Sequence, residues 1–292
     1  MPKKNFIFCA LTALIWGFAF TAQRIGGDYL GNFAYNGIRF MLGTVSLLPV
    51  VLIFEKRDPK KSLLPTLYYG AGAGFILFVA SALQQAGVII TQSAGKSGFI
   101  TGLYIILVPI IGLFMGKRPA KTVYIAAPLS LFGLFLVSWG KESGFSWGDI
   151  LLIIGAVFWA LHILIIDKAG EKVYSLRFSC FQFFVCGLLN LLFLPFYETV
   201  SWEAIRLGII PLLYGGIMSS GVAYTLQVLG QKNADPAVAS LVLSTETVFS
   251  AVGGALILHE TMAPRAYVGC VLIFAAILLC ELSPSLLKRK QG

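Results

Sequence analysis

The chain repeats itself at one fixed spacing. Trp16 recurs as Trp159, Phe40 as Phe183, Gln84 as Gln227, Ser97 as Ser240 and Tyr124 as Tyr267, all at the same offset and without a gap. Self-similarity across half a chain marks a duplicated unit. Each copy holds five apolar runs, near 5–23, 34–54, 66–88, 94–115 and 121–139, then 148–166, 175–195, 207–228, 236–257 and 265–281. A helix needs roughly 20 apolar residues to cross a bilayer. With an odd number of crossings per copy, the second copy must enter from the opposite face. The expected fold is an all-α integral membrane protein: ten transmembrane helices as two inverted five-helix repeats, residues 1–143 and 144–292. Inverted repeats let secondary transporters hold a binding site at the midplane and open it to either side in turn.

Composition agrees with a lipid environment. Of the residues 58% are hydrophobic and 12% charged, against about 25% charged in a soluble domain. The breaks between runs (EKRDPKK, GKRPAK, GKESG, DKAGEK, GQKNADP, HETMAPR) are too short for a soluble domain. Lys3 and Lys4 followed by FIFCALTALIWGFAF resemble a signal peptide. The matching segment around Trp159 is internal and cannot be cleaved, so the first run is expected to be a retained helix. Cys9, Cys180, Cys186, Cys270 and Cys280 sit in apolar runs without metal-ligand spacing and read as small buried hydrophobes. No metal and no cofactor is expected.

The net charge of +9 is a topology signal rather than a nucleic-acid footprint. With ten crossings and a cytoplasmic N-terminus, one set of loops carries Lys3, Lys4, Lys56, Arg57, Lys60, Lys61, Lys117, Arg118, Lys121, Lys168, Lys172, Arg177, Lys232, Lys288, Arg289 and Lys290. The other set carries only Arg24, Lys141, Arg206 and Arg265. Sixteen against four is a strong positive-inside bias. It puts both termini in the cytoplasm and the chain in the cell membrane as a multi-pass protein.

Polar residues inside the runs are the functional candidates, because lipid cannot satisfy them. Glu246 is the sharpest. A carboxylate near the bilayer centre costs roughly 2.5–3.5 kcal/mol on insertion scales, so Glu246 is either a proton carrier or counter-charge, or a structural acid helped by Ser244, Thr245 and Thr247. Arg39 and Lys96 lie a few residues inside the ends of their runs. They either snorkel to the interface or hold an anionic group of the solute, as arginine does bidentately. His162 follows Trp159 by three residues, on the same helix face, and reads as a proton relay or a hydrogen-bonded core histidine. No second His or Cys stands at zinc-ligand spacing from it. Trp16 and Trp159 would flank the pseudo-twofold axis, either as plain packing or as the lining of a central cavity, where aromatic walls suit apolar or cationic solutes. Gln84, Gln85, Thr101, Tyr104, Tyr224 and Gln227 must face a watery cavity or bond helix to helix. Pro109, late in the fourth run, either kinks it for gating or sits in ordinary packing, the reading favoured.

The patterns LIWGFAF, YNGIRF and GFITGLYIILVPIIGLFMGKRP in the first half resemble the EamA-type members of the drug/metabolite transporter superfamily. AVFWALHILIIDK and ASLVLSTETVFSAVGGALILHE resemble them in the second. The resemblance implies a cavity built mainly by runs 1, 3, 4, 6, 8 and 9, with runs 5 and 10 peripheral. It implies a carrier of amino acids, other small metabolites or toxic compounds that does not use ATP directly, and no P-loop is present. Short four-helix relatives carry an acidic residue in their first helix. Here that run holds no Asp or Glu, so proton coupling by that route does not carry over. The expected function is a secondary active transporter, an exporter of a small organic metabolite such as an amino acid, working by alternating access. Its partners would be that solute and the bilayer, with no nucleic acid, and the chain would be a monomer or homodimer. The other classes are a membrane-embedded enzyme, for which no catalytic cluster is seen, and a structural membrane protein without flux.

Overall fold

A computed structural model describes the chain except for residues 57, 59, 60, 139–145, 262 and 290–292, and except for the side chains of 137, 138 and 280–289. Arg57, Lys60, Lys141 and Lys290 of the charge count, and the expected boundary at 143, thus lie outside the described residues.

Among the described residues every regular element is helical. In order they are α1 (Lys3–Gly26), α2 (Asn32–Phe54), α3 (Leu63–Thr91), α4 (Ala94–Thr101), α5 (Tyr104–Phe114), α6 (Val123–Ser138), α7 (Trp147–Ala169), α8 (Ser175–Tyr197), α9 (Trp202–Leu207), α10 (Ile209–Leu213), a π-helical stretch (Tyr214–Tyr224), α11 (Thr225–Gln231), α12 (Pro236–Leu243), α13 (Glu246–Ile257) and α14 (Pro264–Arg289), with a short 3-10 turn at Gly170–Lys172. Eight stretches are long and apolar enough to cross a membrane: Lys3–Gly26, Asn32–Phe54, Leu63–Thr91, Ala94–Phe114, Trp147–Lys172, Ser175–Tyr197, Ile209–Gln231 and Pro236–Ile257. Val123–Leu136 and Pro264–Leu279 are apolar but shorter.

Local chemistry sets the helix starts. Ser146 and Asp149 form a reciprocal capping box at the start of α7. Asp235 accepts the Ala237 N–H at 2.8 Å and Pro236 opens α12 with its fixed φ. The starts of α2 and α8 are closed by each other's far ends. Glu55, just past α2, accepts the N–H groups of Leu176 and Arg177, both at 2.8 Å. Glu198, just past α8, accepts those of Phe33 and Ala34 at 2.8 and 2.9 Å. The sequence repeat maps one set onto the other: Glu55 onto Glu198, Phe33 onto Leu176 and Ala34 onto Arg177. Two helices can cap each other tail to head only if they run antiparallel.

The packing pairs show the same exchange. The helix α3 packs on α7 and α8, while the π-helical stretch and α11 pack on α1 and the former also on α2. Helices α4 and α5 pack on α7, and α12 and α13 on α1. When each element is swapped with its repeat counterpart, the pairs α2–α8 and α6–α14 map onto themselves, and α4–α13 maps onto α5–α12. Contact in lipid depends on close backbone approach rather than on hydrophobic drive. The π-helical stretch shows how this is met: Gly43 of α2 lies so near it that a methyl group there would sit 2.7 Å from Cβ of Ser220.

Two spans are interrupted at equivalent points. Between α4 and α5 the Leu103 N–H bonds the Ile100 carbonyl and Ile105 bonds Gly102. Between α12 and α13 Thr245 bonds Val242 and Thr247 bonds Ser244. Both are one-turn tightenings to i→i−3 bonding, the kind of mid-helix 3-10 segment that often marks a hinge. Pro109 is not the interruption: it lies within α5, and the change of winding comes at Gly102 and Leu103.

Candidate functional site

The interruptions bring two side chains to the middle of the molecule. Tyr104 is the first residue of α5 and Glu246 the first of α13; both line one cavity, and the buried Tyr104 hydroxyl has no hydrogen-bond partner among the described residues. A carboxylate in the first turn of a helix meets the positive end of its dipole. The two half-helices α4 and α13 touch here too, with Thr247 Oγ1 donating to the Gly98 carbonyl at 3.0 Å.

Beside them lies a narrow cavity of about 20 Å³ lined by Trp16, Ala19, Phe20, Gln23, Arg39, Gln84, Thr101, Tyr104, Trp159, Ile163, Ser219, Tyr224, Gln227 and Glu246. Three repeat-related pairs are in its lining: Trp16 with Trp159, Phe20 with Ile163, and Gln84 with Gln227. The tryptophan rings are 6.3 Å apart. Tyr224 is the hub of the aromatic wall, 4.6 Å from Trp16, 6.1 Å and nearly parallel to Trp159, and within 6.0 Å of Phe40 and 5.8 Å of Phe183. The Trp16 indole donates to the Ser219 carbonyl at 3.3 Å, which the wide π-helical turn presents to it.

Arg39 does not snorkel. It is 1% exposed and its guanidinium lies 4.4 Å from the Phe40 ring. Its Nε donates to Asn36 Oδ1 at 2.9 Å. Asn36 is itself held, donating to Asn32 Oδ1 at 2.9 Å and to the Ser81 carbonyl at 3.0 Å. Arg39 Nη2 has no hydrogen-bond partner among the described residues, and no carboxylate among them pairs with it. The cavity therefore contains one buried cation and one buried acid, and they do not neutralise each other. Trp159 Nε1 and Gln227 Oε1 are also without partners among the described residues, whereas Gln84 Nε2 donates to Thr101 Oγ1 at 3.3 Å.

Lys96, His162 and Ser244 are not part of the lining. Lys96 pairs with Asp149 at 2.9 Å, outside the cavity. His162 stands behind Trp159 and Tyr224, with centroids 6.0 and 5.9 Å away, and bonds Gln182 Oε1 at 2.9 Å. The Ser244 hydroxyl bonds the Leu241 carbonyl of its own helix at 2.8 Å. Gln85 ties α3 to α1 through the Gln23 carbonyl at 3.1 Å. Ala19, Phe20, Gln23, Ile163 and Ser219 line the cavity without having stood out in the sequence. Phe20 and Ile163 were reachable from it, since each follows a repeat tryptophan by four positions and so shares its helix face. Among the described residues no group of three His, Cys, Asp or Glu side chains is placed to hold a metal.

The family model of the EamA-like transporter family matches residues 3–139 and again residues 146–281. The chain belongs to the EamA-like transporter family. The starts of the two matched stretches stand at the same offset as the sequence repeat. Among EamA-like relatives, an uncharacterized transporter of Archaeoglobus fulgidus is 29% identical over 274 residues, 94% of this chain and 84% of its own length. The uncharacterized inner membrane transporter YedA of Escherichia coli K12 is 24% identical, covering 94% and 90%. A solved crystal structure at 16% identity shares the fold over the full length of both chains, with a TM-score of 0.80. This EamA-like protein is thus a multi-pass membrane transporter.

Proposed function

We propose that this EamA-like protein is a secondary active carrier for a small organic metabolite with separated charges, such as an amino acid, moved by alternating access. The single observation that carries the reading is Arg39, a buried guanidinium with an open Nη edge and no carboxylate partner among the described residues. Burying an unpaired charge is costly, and a solute carboxylate would offset that cost by binding the open edge of the fork. Glu246, in the same cavity, serves an ammonium group or carries a proton. The aromatic wall around Tyr224 receives the apolar part of the solute.

The transport cycle uses ten crossings in two inverted halves, residues 1–143 and 144–292, with both termini cytoplasmic. The matched caps of Glu55 and Glu198, the matched interruptions and the exchange of packing partners all support it. Spans 3, 4 and 6 form one bundle and spans 1, 8 and 9 the other, each rocking against its partner around Tyr224.

The test is binding and flux by purified protein. Amino acids are screened for a thermal shift, since a ligand at 100 times its Kd stabilises by about 2.7 kcal/mol. Hits are then followed as efflux from loaded proteoliposomes, the expected direction being export. Arg39→Ala is expected to remove the response to carboxylate-bearing solutes. Normal flux of such a solute by Arg39→Ala would overturn the assignment.

A further inference from the structure

The two ends of the broken spans are closed differently. At one end Glu260, just past α13, reaches across to the start of α4. Its Oε1 accepts the Ala94 N–H at 3.0 Å, and Oε2 the Gly95 N–H at 3.4 Å and the Ser93 hydroxyl at 3.3 Å. Nearby, Arg24 Nε donates to the Gln92 carbonyl at 3.3 Å. These bonds join α1 and α13 of one bundle to α3 and α4 of the other. The opposite end holds the repeat counterparts. Glu260 corresponds to Lys117, and Ala94 to Ala237. A lysine cannot accept an N–H. Lys117 instead pairs with Asp167 within its own bundle, and α12 is capped by its own Asp235. Where the clamp would sit, a cavity of about 330 Å³ opens, walled by Lys117, Asp167, Asp235 and Ala237 among others. Deeper and further round, that end is still crossed by Gln231 Nε2 to the Ile163 carbonyl at 3.1 Å and by Asn233 to Glu171 at 2.9 Å.

We infer that Glu260 is the gating residue of the carrier: its carboxylate latches the outer end of the pathway shut by capping α4 across the bundle interface, and the carrier rests open toward the inner end. This rests on the carrier and topology proposed above. The start of α4 has its own cap, Ser93 Oγ accepting the Lys96 N–H at 3.3 Å, but its Ala94 and Gly95 N–H groups are taken by a carboxylate lent by the other half, whereas the equivalent start at α12 takes no carboxylate from across the interface. Parting the bundles at the outer end therefore releases the clamp, and parting them at the inner end releases no such cap.

The test uses full-length protein in proteoliposomes and a membrane-impermeant maleimide applied from each face. Gln23→Cys reports the outer half of the pathway: its side chain lines the central cavity and is 3% exposed. Ala234→Cys reports the inner cavity. Protein without either cysteine sets the background. In the Glu260→Ala background, labelling at position 23 from outside is expected to rise about tenfold, the shift that loss of a charge-assisted cap gives a two-state equilibrium, while labelling at 234 falls. Glu260→Gln keeps the shape if the alanine variant does not fold, and shows a smaller shift the same way. Unchanged rates from both faces in a folded variant overturn the latch. A rise seen only from the face bearing the N-terminus upholds the latch and overturns the orientation.

Discussion

At the residue scale the decisive contrast is between Arg39 and Lys96. Both are single basic residues a few positions inside the end of an apolar run, and in the sequence they look alike. One has its counter-charge, Asp149, at 2.9 Å; the other has Asn36 on Nε and no acid partner among the described residues. Geometry at Arg39 makes Asn36 a positioning residue. Asn36→Asp is expected to set a carboxylate on the guanidinium and compete with the solute, raising KM for a carboxylate-bearing solute by about 10–100-fold, or about 1.4–2.8 kcal/mol, and to lower the melting temperature, because the donations to Asn32 Oδ1 and the Ser81 carbonyl are lost. Arg39→Lys keeps the charge but loses the fork and should weaken binding about tenfold. Equal KM in uptake assays for parent and Asn36→Asp would rule out that role. Glu246→Gln removes a titratable group without changing shape. A pH dependence of transport that survives this change unaltered would show that Glu246 carries no proton.

At the element scale the matched features make quantitative demands. Glu55 and Glu198 each accept two backbone N–H groups in equivalent settings. Removing either by alanine should cost about 1–2 kcal/mol, and the two losses should be similar. Thermal melting of the two variants reads this directly, and one loss without the other would break the claimed equivalence. Close approach of α1 and α13 depends on Gly17, where a methyl group would lie 2.8 Å from the Glu246 carbonyl oxygen. Gly17→Ala should therefore push α13 away from α1 and lower both melting temperature and flux. The helix lengths were legible as apolar runs, and most run ends lie within a few residues of the observed ones. The interruptions at Gly102–Leu103 and Ser244–Thr245 were not. Apolar character continues through them, and the nearby Pro109 drew attention to a place where the helix goes on.

At the scale of the whole molecule, an odd number of crossings per half predicts that reporters fused to the N-terminus and to the C-terminus lie on the same face, the cytoplasmic one. A reporter inserted in the stretch 139–145, between the matched halves, should lie on the other face. Finding both termini on opposite sides would remove the inverted repeat and with it the pseudo-twofold axis. The chemistry of the two repeats is not symmetric. Glu246 stands where the first half has Leu103, and Arg39 where the second has Gln182. Each half therefore brings one charge of its own to a shared frame.

By itself the sequence determined the solvent, the helical class and the duplication. These are properties of composition and spacing along the chain, and a bilayer reads them one segment at a time. It also narrowed the cavity to a handful of polar and aromatic residues, because lipid tolerates few of them and the repeat marks several as equivalent pairs. Only the tertiary structure decided which basic residue is neutralised, which histidine is second to the wall, and which end of the pathway is clamped. Each of those depends on a partner brought in by another helix, or on the lack of one, and distance through space is not written in the order of residues.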